Sequence, residues 1–301
     1  MPRHSPPPAG AGTAPGSGTS IVDLHTHTLR SDGILTPAEL VHAAAEAGVT
    51  TLAITDHDTL AAHRDLAAGP AMPPRIALIA GVEINAIARG IPLQDGELHI
   101  LGFGMDVDDE KFEARLSAQR AARRLRFQRT VERLREIGLP IDEQIAGLDP
   151  DDDDALGRPT IARALIAAGS AASVEDAFQR LIGWGGPAYV PREGMGPRDA
   201  IKAIRAAGGL AVLAHFSEAP SQMPLLRELA GIGLAGLEVF YRTFDRETVT
   251  MVGAVATSLG LIATGGSDYH GDLMSYAEAH ATLNVPGTVA DALRVALIAS
   301  A

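Results

Sequence analysis

Residues 21–33 read Ile21-Val22-Asp23-Leu24-His25-Thr26-His27-Thr28-Leu29-Arg30-Ser31-Asp32-Gly33. The first half is a short apolar run of strand type, and the Gly33 turn closes it. Side chains alternate along a strand, so His25 and His27 project to one side at its end and can reach a single metal ion. Moving outward, the same unit recurs. Candidate strands at Ile21–His27, Thr51–His57, Ile76–Asn85, Leu98–Phe103, Leu210–His215, Gly236–Phe240 and Leu261–Asp268 alternate with alanine-rich helical segments. One such segment, Pro37–Ala47, opens on a proline and stops at Gly48. Near-continuous apolar strands alternating with helices predict a buried parallel sheet, open or closed into a barrel.

The strand ends carry residues that packing does not ask for. The second strand runs into Thr55-Asp56-His57-Asp58, and the third contains Gly81-Val82-Glu83. The fifth ends at Leu213-Ala214-His215, and the seventh runs into Gly266-Ser267-Asp268-Tyr269-His270. His99 lies early in the fourth, and Asp32 in the loop after the first. The carboxyl ends of parallel barrel strands share one face. Nine side chains are therefore expected to converge: His25, His27, Asp32, His57, Glu83, His99, His215, Asp268 and His270. One histidine at a strand end is more often a satisfied polar residue than a ligand; nine such groups at one end are not what packing alone produces. Mixed imidazole and carboxylate ligands suit manganese, iron or zinc, and nine exceed one ion's shell, so two or three divalent ions are expected. Glu238, in Leu237-Glu238-Val239, is a strand carboxylate that burial would force to find a partner. His4, His42, His63 and His280 fall in the tail or on helical patterns and read as surface residues, and Asp58 reads as a helix cap.

Composition narrows the chemistry further. The chain has 301 residues, with 37 acids against 25 bases for a net charge of −12, so it is no nucleic-acid-coating protein and duplex DNA binding is not expected. It has no cysteine, which excludes disulfides, thiolate zinc sites, iron–sulfur clusters and cysteine nucleophiles. No run approaches the roughly 20 apolar residues of a membrane helix. Residues 1–20, rich in Pro, Gly, Ser and Ala, read as a disordered tail without the apolar core of a signal peptide, so a cytoplasmic location is expected. Residues 105–196 interrupt the strand–helix alternation and read as a helical insertion, with patterned segments at Glu110–Gly138 and Thr160–Gly169 around an acidic loop, Asp149–Asp154. The remaining 21–104 and 197–301 leave about 27 residues for each of seven strand–helix units.

Several of these motifs are long enough to resemble a known family. Asp23-Leu24-His25-Thr26-His27-Thr28 with Ser31-Asp32-Gly33, and Leu52-Ala53-Ile54-Thr55-Asp56-His57-Asp58-Thr59, are similar to the polymerase-and-histidinol-phosphatase (PHP) family. Gly81-Val82-Glu83-Ile84, His99-Ile100-Leu101-Gly102, Ala211-Val212-Leu213-Ala214-His215 and Thr264-Gly265-Gly266-Ser267-Asp268-Tyr269-His270-Gly271 continue the match in order. The resemblance implies an α/β fold, a distorted (β/α)7 TIM-like barrel with a helical insertion between strands 4 and 5. It also implies a trinuclear site: His25, His27, Glu83 and Asp268 on one ion, with Glu83 bridging to a second that takes His99 and His215. Asp32, His57 and His270 would hold the third. It further implies metal-dependent hydrolysis of phosphate esters by in-line attack of a metal-activated hydroxide.

In particular the chain resembles stand-alone members that act as nucleotide phosphatases and 5′→3′ exoribonucleases, which share motifs like Gly157-Arg158-Pro159 and Gly185-Gly186-Pro187-Ala188-Tyr189-Val190-Pro191. Relatives commonly carry histidine where this chain has Thr160, and proline where it has Phe216. The resemblance points to a small phosphorylated substrate, a nucleotide or short 5′-phosphorylated RNA, with Arg158 as a phosphate contact. Residues 111–135 hold nine cationic side chains, a local reversal of sign suited to an anionic substrate, and Arg123 and Arg126 are expected to reach only a longer one. Phe127, Val131 and Leu134 form an apolar stripe on that helix. Three alternatives compete. An amidohydrolase bridged by a carboxylated lysine is disfavoured because Lys111 and Lys202, the only lysines, both fall in helical segments. Histidinol-phosphate phosphatase shares the fold but would not call for an arginine-rich helix. A non-catalytic metal-stabilised scaffold would predict eroded ligands.

Overall fold

The computed structural model describes residues 21–69, 73, 75–88, 96–148, 156–271 and 274–300. The 1–20 tail and the acidic loop Asp149–Asp154 lie outside the described residues. Seven strands pair in sequence order: β1 (Val22–Asp23), β2 (Thr51–Ile54), β3 (Ala77–Ile87), β4 (Glu97–Phe103), β5 (Leu210–Leu213), β6 (Leu234–Tyr241) and β7 (Ile262–Gly266). The sheet curls until its edges meet. Leu24 donates its N–H to the Gly265 carbonyl at 3.1 Å, and Thr26 and Tyr269 form a parallel bridge. The result is the expected seven-stranded α/β barrel.

The sheet is mixed, which corrects the all-parallel expectation. β4 runs antiparallel to β3, from Gly81↔Phe103 to Ile87↔Glu97, and antiparallel to β5 as well. Residues 88–96 are too few for a crossover connection, which takes a dozen residues or more, so β3 and β4 can pair only as a hairpin. The reversal matters for the site. The amino end of β4, not its carboxyl end, reaches the barrel mouth, and that is why an early residue of the strand, His99, stands with late residues of the others.

Helices α1 (Pro37–Glu46), α2 (Ala61–Ala68), α7 (Pro197–Ala206), α8 (Met223–Ile232), α9 (Arg246–Leu259), α10 (Tyr276–Ala281) and α11 (Thr288–Ser300) wrap the barrel. α1 shows how the local sequence sets a boundary. Thr36 and Glu39 form a reciprocal capping box and Pro37 occupies the first turn. Two histidines read as surface residues are buried instead. His63, on α2, accepts the Gly81 N–H at 3.0 Å, tying the helix to β3, and burial keeps its pKa below the usual value. His280 stacks on Tyr276 with centroids 5.8 Å apart.

Between β4 and β5 lie α3 (Glu110–Glu136), α4 (Asp142–Ile145), α5 (Arg158–Ala167), α6 (Val174–Ala177) and a π-turn at Phe178–Ile182. α3 serves two cores. Its first half places Phe112 and Leu116 in the cluster that joins Ile84, Ile100 and Ile201 of the barrel. Its second half places Phe127, Val131 and Leu134 in a separate cluster with Ile161, Leu165 and Ile182. No described helix is long and apolar enough to cross a membrane.

Candidate metal centre and its arginine-lined pocket

The nine sequence-selected donors meet at the mouth in three groups whose ligand atoms lie within 4.8 Å of one another: His25, His27, Glu83 and Asp268; Glu83, His99 and His215; and His27, Asp32, His57 and His270. Glu83 and His27 each belong to two groups. β7 passes close enough to β1 because residue 266 is glycine; a Cβ there would lie 2.4 Å from the His25 Cβ. The backbone is strained at the same place. His215 and Asp268, both non-glycine, take positive φ angles of 32° and 49°, which redirects their side chains inward as each strand ends.

The donor set fits a metal ion. His25 Nε2 and His27 Nε2 each stand 3.2 Å from Asp268 Oδ1, and they lie 3.3 and 3.2 Å from Glu83 Oε2. Two bonds of about 2.1 Å meeting near 100° place their donors about 3.2 Å apart. His25 Nε2, His27 Nε2 and Asp32 Oδ1 are buried and make no protein hydrogen bond, a costly arrangement unless a further group satisfies them. The electrostatics agree. Burial alone would depress His27, but Asp268 and Glu83 raise its pKa to about 10. Burial alone would raise Asp32, Glu83 and Asp268, but the surrounding imidazoles pull all three below the usual carboxylate range. The field that would protonate these imidazoles is one that holds cations.

A supporting layer orients the donors. Glu238 is buried as its sequence position required: Oε1 lies 3.0 Å from His25 Nδ1, and Oε2 accepts the His215 backbone N–H at 2.8 Å. The Tyr241 hydroxyl donates to Asp268 Oδ2 at 2.9 Å. Asp56, also buried, accepts from Thr28 N–H and Oγ1 at 2.7 Å and from Ser31 Oγ at 2.8 Å, fixing the loop that carries Asp32.

Beside the donors, under the insertion, is a pocket lined by Asp32, His57 and His99 on one side and by Arg123, Arg126, Arg158 and Arg192 on the other. Glu97 stands among the arginines, with Arg192 at 2.6 Å, Arg158 at 3.2 Å and Arg126 at 3.3 Å. Burial would raise its carboxyl; Arg192, Arg158 and Arg126 outweigh that and hold it at about 2. Arg158 also lies over the Phe178 ring, 5.1 Å from the centroid. Arg123 and Arg126 do not project to a distant substrate as the sequence suggested. Both are buried, Arg123 in an ion pair with Asp58 and Arg126 donating to the Val190 carbonyl. Asp58 is correspondingly no helix cap; α2 begins after Leu60. Sequence reasoning missed Glu97 and Arg192. Glu97 had a usable signal, since it precedes His99 by two and so shares its face of β4.

Comparison with known proteins agrees with this geometry. The PHP domain signature matches residues 23–137. A 5′-3′ exoribonuclease of Haemophilus influenzae is 34% identical over 258 residues, covering 84% of this chain and 90% of its own. A 3′,5′-nucleoside bisphosphate phosphatase of Chromobacterium violaceum is 30% identical over 260 residues, covering 83% and 87%. A solved structure from Bifidobacterium adolescentis, described as a metal-dependent phosphoesterase, superposes with a TM-score of 0.73 at 30% identity, covering 91% of this chain and 95% of that one.

Proposed function

The chain belongs to the PHP-domain family and is a metal-dependent phosphoesterase, and from that premise we propose that its substrates are nucleotides carrying a second anionic group. These are nucleoside bisphosphates or the 5′-phosphorylated end of a short RNA. One observation carries the reading. Arg123 Nε and Arg126 Nη2 are buried, donate to nothing, and belong to residues lining the pocket next to the metal donors. Four guanidiniums face that pocket against three carboxylates, Glu97 and Asp32 on its wall and Asp58 paired with Arg123, so positive charge remains in surplus. A second phosphate would satisfy it, with Arg158 as its principal contact because a planar fork matches phosphate oxygens.

In this reading the three donor groups hold two or three divalent ions, of manganese, iron or zinc. When bound, such ions neutralise phosphate charge, polarise phosphorus and acidify water. The protein's own part is positioning. Glu238 fixes the His25 ring so that Nε2 faces the site, and Tyr241 fixes Asp268. Glu97 and Phe178 brace Arg158 so that its guanidinium is in place before substrate arrives.

A panel of nucleoside 3′,5′-bisphosphates, nucleoside 5′-monophosphates, 5′-phosphorylated oligoribonucleotides and histidinol phosphate tests the proposal. The expected order places bisphosphates and 5′-phosphorylated RNA first in kcat/KM. Arg158→Ala should cost about 10- to 100-fold in kcat/KM on those substrates with metal content intact, since charge-assisted contacts contribute about 1.5–3 kcal/mol. Histidinol phosphate as the best substrate, or a kinetically silent Arg158 variant, would overturn it.

A further inference from the structure

Trp184 is the only tryptophan of the chain and is 74% exposed, on the turn Gly183-Trp184-Gly185-Gly186-Pro187. The turn that carries this indole is braced on both sides. Gly183 N–H donates to the Phe178 carbonyl at 2.9 Å, and a Cβ on Gly183 would lie 2.3 Å from that oxygen, so the turn is folded hard onto the π-turn. Gly186 N–H donates to Gly183 O, Ala188 N–H to Leu181 O, and Tyr189 N–H to Gly186 O, at 2.9–3.0 Å. The Tyr189 ring meets the indole edge-on, with centroids 5.3 Å apart.

Both braces end on the arginine-lined pocket. Phe178 lines it and carries Arg158. Tyr189 leads to Val190, whose carbonyl accepts from Arg126, and on to Arg192 in the pocket wall, three residue steps that span at most about 11 Å. Arginines of α3 flank the Tyr189 side of this path. Exposed Arg133 donates to the Tyr189 carbonyl, and exposed Arg129 lies alongside, paired with Glu193. A rigid exposed aromatic reached from an anion pocket past arginines is the arrangement that binds single-stranded nucleic acid without reading its sequence.

We infer that Trp184 is a stacking platform for a base of the RNA strand trailing the 5′ phosphate, a contact that separates oligonucleotides from mononucleotides. The inference rests on the nucleotide reading of the pocket. On this inference a bisphosphate is held at the arginines by its own phosphates, whereas a strand runs on past them along Tyr189–Arg192 toward the indole.

The sole tryptophan makes the test direct. The metal-loaded protein is titrated with a 5′-phosphorylated hexaribonucleotide bearing slowly cleaved phosphorothioate linkages, and separately with adenosine 3′,5′-bisphosphate. The hexamer should quench the indole saturably and the bisphosphate should not. Trp184→Ala should raise KM for an ordinary hexamer about five-fold or more, leave kcat within about two-fold, and leave bisphosphate kinetics unchanged. Trp184→Phe should restore most of the loss, and circular dichroism of both variants reports whether they fold. Turnover of both substrates with an indole silent to the hexamer, or an equal loss on both in Trp184→Ala, overturns the platform. An indole response to RNA in a protein that turns over no nucleotide sinks the functional reading and leaves the platform standing. A silent indole together with a lower sedimentation coefficient for Trp184→Ala would assign the face to a second copy of the chain and overturn the inference.

Discussion

His25 illustrates what one residue must satisfy here. It is fully buried, its Nδ1 lies 3.0 Å from Glu238, and its Nε2 lies between Glu83 and Asp268. Only the tautomer with the proton on Nδ1 both donates to Glu238 and leaves Nε2 as a metal ligand. Glu238 is engaged a second time by the His215 N–H, so both of its oxygens face donors. Glu238→Gln therefore cannot be neutral, because an amide offers one oxygen and one NH2 to two donors. Metal affinity should fall about 10- to 100-fold, the usual cost of losing an outer partner of a ligating histidine. Activity measured against added Mn2+ reads this as a rightward shift of the half-maximal concentration with the plateau largely retained. Wild-type metal dependence in that variant would reduce Glu238 to a space-filling group.

α3 shows how an element joins site to scaffold. At 27 residues it is roughly 40 Å long, and its apolar contacts change partner halfway. Leu116 belongs to the barrel cluster and Leu134 to the insertion cluster, and both are fully buried. Either leucine cut to alanine should cost about 2–5 kcal/mol. The consequences should differ by location: Leu134→Ala loosens the roof of the arginine pocket, raising KM for nucleotides and sensitivity to proteolysis while metal content holds. Metal loss in Leu134→Ala comparable to that in His25→Ala would show that the two cores are not separable. Much of this element was legible in advance. The stripe of Phe127, Val131 and Leu134 and the helix bounds follow from period 3.6, as the seven strands and nine donors follow from apolar runs ending in polar residues. The fates of the arginines were not legible. Arg123 pairs with Asp58 and Arg126 with Glu97 across long separations, and local pattern carries no record of such partners. The same limit hid the burial of His63, since a histidine on a helical pattern reads alike whether its face meets water or a strand. The hairpin reversal of β4 was hidden as well: the strands as read leave twelve residues, 86–97, enough for a crossover, and apolar continuity alone does not reveal strand direction.

At the scale of the whole molecule, every strand contributes to the centre. β3 brings Glu83, β4 brings His99 and β6 brings Glu238; His25 and His27, His57, His215 and the Asp268–His270 pair follow β1, β2, β5 and β7. A ring of strands whose mouth is lined by ionisable groups gains further stability from whatever joins those groups. Without ions, the buried Glu83 and the half-buried Asp32 and Asp268 lean on imidazoles that burial would rather keep neutral. Ions that bind only the folded chain stabilise it by mass action, about 2.7 kcal/mol at a free concentration 100 times Kd. For a domain of this size each kcal/mol moves the melting temperature by about 2–4 °C, so stripping one such site lowers it by roughly 5–10 °C, and more if several ions leave. Elemental analysis of protein expressed with ample metal should find two or three divalent ions per chain, and chelation should remove ions and melting temperature together. Readdition of Mn2+ should restore both, while His25→Ala should start from the lower temperature and respond weakly. A chelated protein shown to be metal-free yet melting at the original temperature would mean that the barrel closes on its hydrophobic clusters alone, with the donor ring serving chemistry but not the fold.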